Sequence, residues 1–256
     1  MLHNPTHLMV RLVAFPCFML CVAIMDGIGK KSATRLGAGR VIAFSLFVFL
    51  TALSKPSFVQ MLFPALFFLA LFKMVKYGKA AIWPVATVVL SLVPSLLLMC
   101  LQAWVSFYSA KDSGSGVAIA FLKLYSRHSP NVFVSVMLGI CFPLIMLLWS
   151  IRARKVSTAE VLAWIMYGVG WTQGALLIET GYRMLHGNFC WALNLSLFFI
   201  WFTALDRFIS LAVELSNSPG DRERKWWFWC AVAVLLLHLV SGFCYLWRVL
   251  VMGIWA

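Results

Sequence analysis

Eight times along this chain, charged and turn-forming residues give way to an almost uninterrupted apolar run, at about 9–25, 41–53, 57–72, 80–106, 131–150, 158–178, 190–214 and 226–251. A membrane-spanning helix needs about 20 apolar residues, and several of these runs approach or exceed that length. Segments of this kind are stable as helices in a bilayer, where each backbone N–H and C=O is satisfied within its own segment. A membrane β-barrel would instead show alternating segments of about ten residues, and these runs do not alternate. Composition points the same way. With 63% hydrophobic and 11% charged residues, against about 25% charged in soluble domains, both a soluble domain and a disordered chain are excluded. Seven cysteines are too sparse for a disulfide-stapled module, and most lie inside apolar runs as small buried residues. The expected fold is therefore all-α: a polytopic transmembrane helical bundle of about eight hydrophobic segments, with residues 1–256 forming a single integral membrane domain.

The net charge of +13 raises the question of nucleic acid, but the 21 Lys and Arg fall in short clusters between apolar runs. Clusters in alternate loops encode topology rather than a grip on a duplex, so no nucleic-acid partner is expected. Lys30, Lys31, Arg35 and Arg40; Lys73, Lys76 and Lys79; Arg152, Arg154 and Lys155; and Arg222, Arg224 and Lys225 share one side. Under the positive-inside rule that side is cytoplasmic and both termini lie outside. The first run has no basic region before it and no good cleavage site after it, so it reads as a retained span rather than a signal peptide. An outside N-terminus without a signal suggests that the chain is the C-terminal part of a longer one.

The run from 41 to 72 is too long for one span: as a single straight helix it would extend about 48 Å through a hydrocarbon core of about 30 Å. Ser54-Lys55-Pro56-Ser57 breaks it, because Pro56 lacks an N–H and drives Lys55 toward an extended conformation. Two short broken helices, 41–53 and 57–72, would then meet below the outer membrane surface, where irregular backbone needs protein or a water-filled cavity against it. Their junction would aim the free N–H groups of the second helix, the Lys55 charge and the Ser57 hydroxyl into one recess, which suits an anion. A kinked hairpin with Lys55 snorkelling to the surface is the alternative. Further along, Val117–Leu124 is too short to span and reads as a helix lying at the interface. Trp83, Trp104, Trp149, Trp191 and the Trp226–Trp229 cluster sit near span ends as aromatic anchors.

Only eight acids are present, and topology leaves Asp112 and Glu179 as the outward ones. Asp112 lies in a Ser/Gly stretch with nothing to fix it, so Glu179 is the outward candidate for a general base. If the helix from 158 continues outward, Glu179, Arg183 and His186 share one face at i, i+4 and i+7. Arg183 would then meet a phosphate, Glu179 would orient it or act as base, and His186 or Asn188 would meet a sugar hydroxyl. The alternative is an ion pair and an Asn188-capped turn that only fix the hairpin. Lys123 and Arg127 would face a lipid phosphate or ordinary head groups. Asp206 and Arg207 would pair with each other or with a neighbouring helix. The histidines do not have metal-ligand spacing, so neither a metal nor another cofactor is expected.

The Lys55-Pro56-Ser57-Phe58 break with Phe63-Pro64-Ala65, the Phe142-Pro143-Leu144 span, and Glu179-Thr180-Gly181-Tyr182-Arg183 followed by His186-Gly187-Asn188-Phe189-Cys190-Trp191 together resemble a known type. Over about residues 40–200 the pattern is similar to the C-terminal half of large bacterial envelope-polysaccharide membrane proteins of the GT-C glycosyltransferase type. The resemblance implies transfer of a sugar from a polyprenyl-phosphate donor at the outer face of the bacterial cytoplasmic membrane. Its implied partners are membrane lipid, the polyprenyl-phosphate-linked sugar, and either a missing N-terminal part or another envelope-assembly membrane protein. On that reading Glu179 is catalytic and Lys55, Ser57, Arg183, His186, Asn188, Lys123 and Arg127 bind substrate. One departure stands against it: the class keeps its catalytic acid on the first outward loop, and this chain has no acid before Asp26. A fragment without its catalytic loop, a non-catalytic relative, or a substitution by Glu179 would each account for that. Two functions of other classes remain open, a transporter or flippase of lipid-linked sugars and a non-catalytic membrane assembly subunit.

Overall fold

The computed structural model of the chain describes residues 5–29, 37–105, 116–181 and 187–252. In chain order these form α1 (Pro5–Gly27), α2 (Ala38–Ser54), α3 (Ser57–Tyr77), α4 (Lys79–Trp104), β1 (Val117–Ile119), α5 (Tyr125–His128), α6 (Val132–Arg152), α7 (Thr158–Leu176), β2 (Leu177–Glu179), α8 (Asn188–Asn217) and α9 (Arg222–Met252). Each of the eight apolar runs has become a helix, and the protein is an all-α polytopic bundle. Six of these helices are long and apolar enough to cross a membrane, while α2 is shorter. The chain is an integral membrane protein.

The helices gather into two compact units. In the first, α1 to α5, α7, both strands and the part of α8 up to Phe199 enclose an aromatic and aliphatic core. Phe18 of α1 and Phe58 of α3 both pack on Phe199, with ring centroids 4.6 and 5.6 Å apart. All three rings are fully buried, so the first turn of α3 is pinned from inside the unit. Helices α7 and α8 approach closely because α7 presents Gly170 and Gly174 one turn apart. A Cβ on Gly170 would stand 3.0 Å from the α8 backbone at Ala192 and Leu193, the small-residue contact by which membrane helices pack.

In the second unit, Phe142, Met146 and Trp149 of α6 pack with Ala204 and Leu211 of α8 and Ala231 of α9. Its polar groups are tied down. The Trp201 indole donates to the Gly139 carbonyl at 2.9 Å, and the His238 ring hydrogen-bonds the Val234 and Leu138 carbonyls. Arg207 does not pair with Asp206, which is exposed; it reaches Glu214 two turns along α8 at 3.3 Å, and Lys155 meets the same carboxylate oxygen at 2.8 Å. Side chains two turns apart share a helix face, whereas adjacent ones diverge.

The break between α2 and α3 forms as the sequence dictates. Lys55 is extended (φ −160°, ψ 113°) and Pro56 stands just before α3 at φ −63°. The helices on either side are longer than the short pair expected, 17 and 21 residues. At 1.5 Å per residue α3 runs about 32 Å, the full hydrocarbon thickness. The added length lies at the far end, where α3 carries on through Lys73 to Tyr77. The Lys73 ammonium sits 5.7 Å from the Tyr77 ring, so its stem stays in apolar surroundings.

Two other expectations are overturned. Residues 117–124 are not an interfacial helix: Val117–Ile119 is a strand, 121–124 is a turn, and only Tyr125–His128 is helical. Nor does α7 continue outward through Glu179; it stops at Leu176 and the chain becomes β2. The two strands pair antiparallel with Val117 opposite Glu179 and Ile119 opposite Leu177. The physical reason is at the end of α7, whose last carbonyls have no partner within the helix. The Ala120 and Leu122 N–H groups donate to the Leu176 and Ala175 carbonyls at 2.9 and 2.7 Å, and Thr180 N–H donates to the Gly116 carbonyl at 2.9 Å. The 117–122 segment thus caps α7 by pairing with it.

Candidate functional site

The end of the first unit that carries the sheet contains a cavity of about 390 Å³. Its wall begins at the helix break, with Lys55, Pro56, Ser57 and Gln60. The last turns of α4 add Met99, Gln102 and Ala103, the sheet adds Val117 and Glu179, and the start of α8 adds Asn188 and Phe189. Four residues singled out from the sequence, Lys55, Ser57, Glu179 and Asn188, therefore meet in one place.

Lys55 is 8% exposed. Its extended backbone donates N–H to the Thr51 carbonyl at 2.8 Å, ending α2. The side chain turns into the unit and sets Nζ 4.0 Å above the Trp191 ring centroid. A desolvated ammonium on an indole face gains about 2 kcal/mol, part of what burying the charge costs. Among the described residues no carboxylate forms an ion pair with it, so the charge is held in place and left to act on whatever enters the cavity. Beside it α3 begins with Pro56 and no side-chain cap. The first N–H groups of that helix have no intrahelical acceptor, and they carry the positive end of the helix dipole.

Glu179 is 7% exposed and stands at the end of β2. One carboxylate oxygen, Oε2, accepts a 2.7 Å hydrogen bond from Asn188 Nδ2. Of the two sequence readings of Asn188, the helix cap does not form: Gly187, at φ 62°, makes the turn into α8, and its carbonyl accepts from Cys190 N–H at 2.9 Å. The left-handed turn suits glycine and frees the asparagine side chain for Glu179. Because Glu179 lies on a strand, the expected helical spacing with Arg183 and His186 does not apply to it. Arg183 and His186 themselves lie outside the described residues. Lys123 and Arg127 are exposed and do not line the cavity.

Sequence reasoning missed three contributors. Gln102 donates from Nε2 to the Ala52 carbonyl at 3.1 Å, while its Oε1 is buried with no hydrogen-bond partner among the described residues. A lone amide in an apolar run was the available signal, since a polar group inside a span usually has a role. Trp191 was assigned to the membrane interface, and it is the platform under Lys55. Tyr125 carried no role in the sequence reading. Its ring enters a notch that exists only because residue 174 is glycine, with the hydroxyl beside Cys190. Burial there pushes the Tyr125 phenol well above its ordinary range, so it stays protonated.

The arrangement pairs a buried, unneutralised cation and an uncapped helix start with an oriented carboxylate and amides. Such a set has the chemistry that suits an anionic group beside hydroxyl groups. Among the described residues no group of three or more His, Cys, Asp or Glu stands close enough to hold a metal. Comparison of the chain with family models, curated proteins and solved structures finds no match in any of the three.

Proposed function

We propose that this cavity binds the phosphate-linked headgroup of a sugar lipid, and that the chain is a membrane glycosyltransferase, or the C-terminal part of one, using a polyprenyl-phosphate-linked sugar. The observation that carries the reading is the convergence, in one cavity of a membrane-embedded unit, of an unneutralised Lys55 and the Asn188-held Glu179. A buried cation at the start of a helix suits a phosphate diester, whose charge grows as the sugar leaves. In this reading Glu179 takes the proton of an acceptor hydroxyl as its oxygen attacks the anomeric carbon. The anomeric C–O bond to phosphate then breaks, the lipid phosphate leaves with both electrons toward Lys55, and Glu179 returns its proton to solvent. With the basic clusters assigned to the cytoplasm, the cavity opens at the outer face of a bacterial cytoplasmic membrane and both termini lie outside.

The test is equilibrium binding of a polyprenyl phosphate to the purified chain in nanodiscs, for the parent, Lys55→Ala, Arg183→Ala and Glu179→Gln. Loss of a charge-assisted hydrogen bond predicts weakening of about tenfold or more for Lys55→Ala. Arg183→Ala should weaken binding as well, and Glu179→Gln should bind like the parent while losing sugar transfer. Absence of binding in the parent, or binding indifferent to Lys55, would sink the reading and leave the assembly-subunit alternative ahead.

A further inference from the structure

Two of the helices that wall the cavity run on beyond it. Helices α3 and α4 are joined by the single residue Gly78 and run antiparallel, so the segment of α3 beyond Gln60 faces the segment of α4 before Met99. There the same two helices line a second cavity of about 280 Å³, from Phe63 to Met74 on α3 and from Val85 to Leu92 on α4. Every side chain in it is apolar. Leu66, Val85 and Val88 form a buried floor, while Phe67, Leu71 and Val89 stand exposed along the rims. Phe63 to Met74 covers about 17 Å of helix, close to half of the roughly 30 Å hydrocarbon thickness. A groove as long as one leaflet thus begins about one turn from the polar cavity along α3 and about two turns from it along α4, and leads away from it.

Resting on the headgroup reading above, we infer that the α3/α4 groove is the seat of the ligand's hydrocarbon chain, so that the substrate is an amphiphile held by its phosphate at Lys55 and by its first prenyl units between α3 and α4. A charge-free groove that follows a cation-bearing cavity along the same two helices has the polarity sequence of a phosphate-headed lipid. A third cavity, of about 430 Å³, flanks α3 on its α7 side, but Thr172 and Gln173 line it. Two polar side chains, one with a buried amide oxygen that has no hydrogen-bond partner among the described residues, make that face the poorer seat for a hydrocarbon chain. In a bilayer the groove gains nothing from water exclusion, since free lipid is as apolar as its walls. It selects by packing.

The experiment is photocrosslinking in nanodiscs with a polyprenyl phosphate that carries a diazirine on its second prenyl unit, the crosslinked peptides being mapped by mass spectrometry. Label is expected on 63–74 and 85–92 several times above that on α9. Unlabelled polyprenyl phosphate should compete it away and the matching free prenol should not. Lys55→Gln should lower competable label about tenfold. Val89→Trp, on an exposed rim where folding is not at stake, should displace label from 85–92 while phosphate-dependent binding persists. Competable label spread evenly over the lipid-facing helices, or centred on the α7 side of α3, overturns the groove and leaves the headgroup site standing. Label that polyprenyl phosphate cannot compete overturns both.

Discussion

Lys55 and Glu179 show how much one residue depends on its neighbours. Lys55 is buried without a carboxylate partner, over an indole, at the start of a helix. Arginine keeps the charge and stacks on aromatic rings, so in equilibrium binding of polyprenyl phosphate Lys55→Arg should stay within about threefold of the parent while Lys55→Ala loses about tenfold. Asn188 acts through Glu179 and is a positioning residue. Asn188→Ala removes the 2.7 Å bond to Oε2, and sugar transfer should fall about tenfold in kcat with KM nearly unchanged. Asn188→Ser, which can still donate, should recover part of the loss. An equal fall in kcat and rise in KM would assign Asn188 to substrate contact instead. Lys55 was legible in the sequence because proline acts on its immediate predecessor, a local rule. Glu179 was legible only by elimination among few acids, and its setting was misread: strands of three residues carry no period, and Val117 lies far from it in the chain.

Among elements, the junction of α7 with β2 decides the shape of the site. The helix ends where the 117–122 segment satisfies its last carbonyls, and Tyr125 locks that segment down through the Gly174 notch. Gly174→Val should push the ring out, because the added side chain would occupy the space of the phenol. The change should expose 116–131 to protease at concentrations that leave the parent intact, and polyprenyl phosphate binding should weaken as Val117 leaves the cavity wall. Tyr125→Phe, which keeps the ring, should behave like the parent. Protection equal to the parent in Gly174→Val would show that the segment is held some other way. The apolar runs were legible as helices because a span's composition specifies it locally. The end of α7 was not, because a helix terminus can be set by a partner distant in sequence. The apolar stretch from Val117 is too brief to separate strand from helix by periodicity.

For the whole molecule, the first unit carries the cavity and the second carries a half-buried charge network. Glu214 holds Arg207, which is 9% exposed, and Lys155 on one oxygen. Removing the carboxylate takes the charged partner from a buried guanidinium, so Glu214→Gln should lower stability in detergent by about 2 kcal/mol and reduce Tm. The exposed pair of Arg152 with Glu223 should contribute less than about 1 kcal/mol, and Glu223→Gln should be nearly silent. A Tm for Glu214→Gln equal to that of Glu223→Gln would contradict this ranking. Membrane embedding was legible in composition and charge order; the gathering of helices into units was not, since apolar faces that meet lipid and those that meet protein read alike.

The central claim is that a lipid phosphate sits against Lys55 at the start of α3. A cryo-electron microscopy structure of the chain in nanodiscs with bound polyprenyl phosphate tests it most directly. The account predicts phosphate density within about 3 Å of Lys55 Nζ, lost in Lys55→Ala. Density elsewhere on the protein, or unchanged in that variant, would contradict it.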